Sequence, residues 1–352
     1  MATVAFSPDG RLLASGNLDG TVRLWDAEYR NPPDTAPAGI GNQTKLVFSR
    51  DSKNLIAACT DSSCKMFDVQ TLKPTLVLTG VDFAVGLDTK GHAILNGDQR
   101  MVLWDFQNGG SHEVPMQNIV ANRYGYAVSR SGKLSAWTSW LDLVQLWDNS
   151  AWKEITRLRI SVRGFGNGLC FLPDERTLAI TCRDGEIVIW NWTSGSSKTF
   201  KTGLDEPLVI TISADGKLLA CEEAQSRIRV WSLPGGEEVA VLKGHRQYIH
   251  DLAFAPDGKT LASCSNDGTV RLWNVQLAQE TAILRIVPAG TKGTNIRVWS
   301  LAFSPDGNTL AAYAGNGTLK VWRAASWEEI LQEERQAQTA GSAKRHAVSQ
   351  PR

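Results

Sequence analysis

The chain has 352 residues, 42% of them hydrophobic, enough to bury a sizeable core, and 37 basic against 36 acidic residues leave a formal charge of +1. That balance supplies no general attraction to nucleic acid or anionic lipid, so neither is expected as a partner. No stretch approaches about 18 uninterrupted apolar residues, and Met1 to Gly10 lack the basic start and apolar run of a secretory leader, which disfavours membrane spanning and secretion.

In chain order, the first predicted unit is Thr3-Val4-Ala5-Phe6, the reversal Ser7-Pro8-Asp9-Gly10, a second strand, the turn Asp19-Gly20 and the strand Thr21-Val22-Arg23-Leu24-Trp25. Proline fixes φ and glycine accepts φ > 0, so the chain must reverse at each such quartet. The quartet recurs as Ser49 to Ser52, Asp88 to Gly91, Ser129 to Gly132, Leu172 to Glu175, Ser213 to Gly216, Ala255 to Gly258 and Ser304 to Gly307, each leading to an aromatic residue: Phe67, Trp104, Trp147, Trp190, Trp231, Trp273 and Trp322. The eight aromatics are spaced by 37–49 residues, a period that fits four-stranded propeller blades and also HEAT or armadillo helices. The alternating, β-branched runs before the aromatics and the Asp-Gly or Asn-Gly turns at Asp184, Asp267 and Asn316 select strands over helices.

A fourth strand is expected after each aromatic, because Ile155, Val239 and Ile330 all fall at the same offset. For the last unit this makes 326–333 the outer strand, although Ser326 with Glu329 also spells a helix capping box. After the first unit Pro32 and Pro33 stand where the outer strand should run.

These eight copies resemble the WD-repeat β-propeller family over most of the chain. Trp25-Asp26, Trp104-Asp105 and Trp147-Asp148 carry the tryptophan-aspartate pair, and Gly244-His245 the glycine-histidine pair. The resemblance implies an all-β, eight-bladed propeller of four-stranded antiparallel blades, one domain over 2–333 followed by a tail, 334–352, expected to be disordered for want of apolar residues. It also implies a structural hydrogen-bonded tetrad of His245, Ser263, Asp267 and Trp273. Ring closure is open at this stage. Thr3 to Phe6 already reads as an innermost strand, so either the ring closes without the family's interlocking outer strand or the sequence is a piece of a longer protein.

No catalytic constellation emerges. The Ser-His-Asp set recurs in part from unit to unit, as a brace would, and Gly164 to Gly168 lacks the spacing of a phosphate loop. Five histidines and six cysteines without a Cys-x-x-Cys pair give no metal site, no cofactor is expected, and a reducing cytoplasm is. Cys59, Cys182 and Cys264 fall on second strands, as buried fillers.

The expected function is a non-enzymatic scaffold binding a protein or peptide through the loops of one face. Candidate contacts there are Trp140 and Arg183 from adjacent units, Tyr248 just after His245, and Lys292 and Arg297 in the long segment 288–297. The alternatives are an enzyme or small-ligand propeller using the central channel, and a sensor or targeting part of a larger signalling protein.

Overall fold

A computed structural model describes residues 3–325 except 7–11, 17–21, 27–34, 38–45, 60–62, 82, 89, 98–99, 106–109, 115–120, 140–142, 160–164, 183–184, 204–208, 224–225, 234 and 287–295; side chains are described only from Leu46 onward. The chain divides into two compact units, Met1–Asn31 with Trp322–Arg352, and Pro32–Val321.

In the first unit, β1 (Thr3–Phe6), β2 (Leu12–Gly16) and β3 (Val22–Asp26) form an antiparallel sheet, and β3 also meets the strand end at Ala324 and Ala325. The second unit opens with β4 (Thr35–Pro37). Six four-stranded sheets follow. Blade 1 is β5 to β8 (Leu46–Phe48, Asn54–Cys59, Ser63–Asp68, Pro74–Thr79) and blade 2 is β9 to β12 (Phe83–Leu87, Ala93–Gly97, Arg100–Trp104, Ser111–Val114). Blade 3 is β13 to β16 (Ala121–Val128, Leu134–Ser139, Leu143–Asp148, Lys153–Arg159), and blade 4 is β17 to β20 (Phe165–Phe171, Thr177–Cys182, Glu186–Asn191, Ser197–Lys201). Blade 5 is β21 to β24 (Ile210–Ile212, Leu218–Glu223, Arg227–Ser232, Glu238–Lys243), and blade 6 is β25 to β28 (Ile249–Phe254, Thr260–Ser265, Thr269–Asn274, Gln279–Arg285).

Blade 7 is β29 (Val298–Phe303), β30 (Thr309–Ala314) and β31 (Thr318–Ala325), and its outer strand is β4, with Pro37 opposite Thr318, Ala36 opposite Leu319 and Thr35 opposite Lys320. The propeller therefore has seven blades, and the expected eight is wrong. The error came from counting copies of the pattern. The first copy does form strands, but the segment that should have been its outer strand pairs with β31 instead, so the interlock is present and the ring closes without β1 to β3. Prolines at 32 and 33 cannot donate to a ladder, which favours a chain that leaves β3 before pairing again. The segment 326–333 lies outside the described residues, and the outer position assigned to it on β31 is taken by β4.

Closure is visible in the packing. Leu46, Phe48, Leu55 and Phe67 of blade 1 cluster with Ala311, Tyr313 and Leu319 of blade 7, and the Leu46 N–H donates to Ser300 Oγ at 3.3 Å. The core consists of such clusters between neighbouring blades, each sheet covering the apolar face that the next one exposes. Second strands are consequently buried on both faces, as in β18 and β30, whereas the outer strand β16 alternates between solvent and neighbour.

The turn chemistry repeats with the blades. The last residue of each quartet is left-handed in all seven, as Gly91, Gly132, Gly216, Gly258 and Gly307 but also as Ser52 and Glu175. The residue after the blade tryptophan caps the next turn: Asp148 Oδ1 accepts from the Ser150 N–H at 2.7 Å and Asn191 Oδ1 from the Thr193 N–H at 3.1 Å. That turn also ends in a left-handed residue, Gly195 or Gly236 in two blades but Leu72, Trp152 and Ala278 in three.

Candidate partner-binding face

The ends of the strands opposite the quartet turns form one rim, built from the loops that join an outer strand to the next inner strand and a second strand to a third. Blade 6 supplies its best described part. The loop after β24 begins with Gly244 and His245, and His245 reaches down into the blade. Its Nδ1–H donates to Asp267 Oδ2 at 2.9 Å, while Nε2 lies 2.7 Å from Ser263 Oγ. The Trp273 Nε1–H donates to the same Oγ at 2.8 Å. With a neutral imidazole every group is satisfied: indole to hydroxyl, hydroxyl to Nε2, and Nδ1–H to carboxylate.

Burial alone would raise the Asp267 pKa. Hydrogen bonds from His245, Thr269 and the Arg246 N–H outweigh it and hold the carboxyl well below the usual range. Although Ser, His and Asp are the residue types of an acyl-transfer triad, the Ser263 side chain is fully buried and that of His245 is too, so no substrate carbonyl can approach either. The arrangement is a brace. In the other blades the position of Ser263 is Ala57, Leu95, Trp137, Ile180, Cys221 and Ala312, all buried. Those blades place a predominantly apolar side chain where blade 6 has a polar network; in blade 3 the Trp137 and Trp147 Nε1 groups find no partner among the described residues.

The brace continues into the backbone of the loop. Asp267 Oδ2 also accepts the Arg246 N–H at 3.0 Å, Ser265 Oγ donates to the Gln247 carbonyl at 2.9 Å, and the Asn266 N–H donates to the Tyr248 carbonyl at 2.9 Å. Tyr248 is thereby held on a fixed backbone with its side chain 62% exposed.

Next to it, the His250 Nε2–H donates to Asn266 Oδ1 at 2.6 Å, and the His250 ring stacks on Trp299 of blade 7 with centroids 4.1 Å apart. Burial, joined by the charge of Arg297, pushes the His250 pKa below the ordinary histidine value, against the Asn266 hydrogen bond and the Asp251 charge. Arg297 is exposed, and its carbonyl accepts the Gly315 N–H at 2.8 Å. Gly315 has no room for a side chain, since a Cβ would stand 2.6 Å from Trp299 Nε1. Tyr248 and Arg297 are thus joined through Asn266, His250 and Trp299. Trp140, Arg183 and Lys292 lie outside the described residues.

His250 and Trp299 escaped sequence reasoning because they come from different blades. Asn266 was within reach, because it occupies the loop position that supplied Trp140 and Arg183. Among the described residues no group of His, Cys, Asp and Glu is arranged to hold a metal ion, and no helix is long and apolar enough to cross a membrane.

A family model for the WD domain, G-beta repeat, matches residues 2–26, 164–191, 236–274 and 287–323. In these four segments the chain carries WD repeats. The curated proteins it is similar to include other WD-repeat chains. Periodic tryptophan protein 2 of Arabidopsis thaliana is 32% identical over 210 residues, which is 54% of this chain and 22% of that one. Autophagy-related protein 16 of the same plant is 24% identical over 267 residues, 68% of this chain and 49% of the relative. Small ribosomal subunit protein RACK1 of Schizosaccharomyces pombe is 40% identical over 90 residues, 26% and 27% of the two chains. The aligned part of this WD-repeat chain spans less than half the length of each of these relatives. WD-repeat propellers of this kind typically act as protein-interaction scaffolds.

Proposed function

We propose that this WD-repeat chain is a non-enzymatic scaffold whose rim over blades 6 and 7 docks a protein or peptide. The observation that carries this reading is Tyr248, 62% exposed at the tip of a loop whose backbone is fixed on both sides by the brace. An aromatic side chain held this way loses little conformational entropy on binding, and Tyr and Arg dominate binding hot spots. The RACK1 relative, by its name, belongs to a ribosomal subunit, so at least one similar chain sits in a larger assembly. A stable complex would bury roughly 1,200–2,000 Å² in total, for which this rim would be the centre. A reducing compartment such as the cytoplasm suits the buried thiols of Cys182, Cys221 and Cys264.

The test is recovery of partners from native extract on the immobilised full chain, with Tyr248→Ala, Arg297→Ala as the comparison. Loss of about 2 kcal/mol at a hot-spot tyrosine weakens binding roughly thirtyfold, enough to remove specific bands. Identical recovery by the two proteins would refute the site.

A further inference from the structure

The rim over blades 6 and 7 carries a sign of charge that the whole chain does not. Lys243 and Arg285 end the outer strands β24 and β28, Arg246 lies in the loop between β24 and β25, and Arg297 immediately precedes β29. Strand direction puts all four at the same end of their blades, and all four are exposed. None forms an ion pair with a described residue.

The carboxylates nearby point elsewhere. Asp267 is consumed by His245, Arg246 N–H and Thr269. Asp251 accepts from Ser300 Oγ at 2.9 Å and from the Leu301 N–H at 3.2 Å, bridging β25 to β29. Glu223 feels Lys243 but is bound to Arg229 at 2.8 Å. Glu222 is buried, where desolvation favours its neutral form and the Ile249 N–H is its backbone donor. A chain of net charge +1 therefore presents here a local excess of positive charge around one exposed aromatic ring.

Resting on the docking role proposed above, we infer that this rim takes an acidic peptide segment. Its carboxylates lie against Arg246 and Arg297, with Lys243 and Arg285 at the flanks, and an apolar side chain packs on Tyr248. Guanidinium groups pair with carboxylates in a bidentate fork, which fixes orientation as well as attraction. A nucleic acid fits less well, because strand tracking calls for a longer basic groove with several stacking rings, and the stretch of rim from Lys243 to Arg297 offers, among the described residues, these four exposed cations and one exposed ring, Tyr248.

The probe is a labelled poly-glutamate peptide with one central phenylalanine, titrated by fluorescence anisotropy against the full chain, with the poly-glutamine counterpart as control. The glutamate peptide should bind more tightly and weaken as salt rises. Arg246→Glu with Arg297→Glu should lower its affinity at least about tenfold, whereas Lys90→Glu, on an exposed quartet turn at the far end of the blades, should leave it unchanged. Melting curves of all variants check that they fold. Equal affinity for the two peptides, indifference to the charge reversals, or tighter binding of single-stranded RNA that the same reversals abolish would each overturn the acidic partner.

A photocrosslinker in place of Tyr248, used in native extract, separates this inference from the role beneath it. A protein crosslinked there and not displaced by poly-glutamate overturns the acidic partner and leaves the scaffold standing. If the full chain crosslinks to nothing, both fall.

Discussion

Replacing Asp267 by Ala removes one side chain and strands the donors of several groups. The carboxylate accepts from His245 Nδ1 at 2.9 Å, the Arg246 N–H at 3.0 Å, the Thr269 N–H at 3.0 Å and Thr269 Oγ1 at 2.6 Å. Arg246 is exposed and its N–H can turn to water; His245 and Thr269 are buried and theirs cannot. Two or three buried donors left unsatisfied cost about 1–3 kcal/mol each, part of it recovered by relaxation, so the substitution should destabilise by about 3 kcal/mol. The unit that melts has 290 residues, Pro32–Val321, and at about 2.1 cal/mol/K per residue its unfolding entropy is about 0.6 kcal/mol/K, which converts the loss into a Tm lower by about 5 °C. Differential scanning calorimetry at neutral pH measures it. The pH dependence gives a second, independent reading. Because the folded pKa of Asp267 is depressed, its stabilisation is complete above the unfolded value of 3.8 and is lost as pH falls from there toward the folded value, so the gap between the two proteins should narrow below about pH 4. A Tm drop of less than about 1 °C, or a gap that stays constant into acid, would refute the brace.

Glu222→Gln tests the opposite sign. Burial raises this carboxyl to about 7, so between about pH 4.5 and 7 the folded state holds more protons than the unfolded one and wild-type stability falls as pH rises; the variant should match wild type near pH 4 and exceed it by about 3 kcal/mol at pH 8 in urea unfolding. A variant no more stable at pH 8 would count against the buried, underpaired carboxyl. Ala278→Gly relieves a left-handed alanine at φ 50 where blades 4 and 5 already carry glycine, and should stabilise by about 0.5 kcal/mol, read as a higher denaturant midpoint. Ala36→Cys with Leu319→Cys places thiols on directly opposed residues of β4 and β31; mild oxidation should join them, whereas failure to crosslink in the folded protein would argue against the interlock and the seven-bladed count.

The blade pattern was legible because each unit spends residues on reversals that few side chains allow, and on an aromatic that must be buried. The count was not. The first copy matches the pattern better than the second and third do, with Ser7-Pro8-Asp9-Gly10 and Trp25-Asp26 intact, yet the poorer copies form full blades. They do so because Phe67, Leu95 and Trp104 are buried between sheets, and apolar contact with two neighbours holds a blade without any polar brace. The residues that decide the count are Thr35-Ala36-Pro37, too short to show a period and placed one repeat before the strand they complete. Similarity between copies reports local structure; ring membership depends on which edge a strand pairs with, and three residues carry little record of that.

The site divides along the same line. His245, Ser263, Asp267 and Trp273 belong to one blade and keep a fixed spacing, so resemblance to a family was enough to group them, and partial recurrence from unit to unit already favoured a brace over a catalytic triad before the burial of Ser263 and His245 argued the same way. Tyr248 and Arg297 had only their loop positions to mark them. The groups that join them, Asn266, His250 and Trp299, meet across a blade boundary, and no periodicity within one repeat registers a contact between two. The polarity of the rim was hidden more deeply still. A total charge of +1 suggests an indifferent surface, and only the inward turn of Asp251, Asp267 and Glu222 leaves the arginines unopposed. A carboxylate that braces a loop is withdrawn from the field seen by an approaching ligand, so the same hydrogen bonds that hold Tyr248 in place also set the sign of what it can meet.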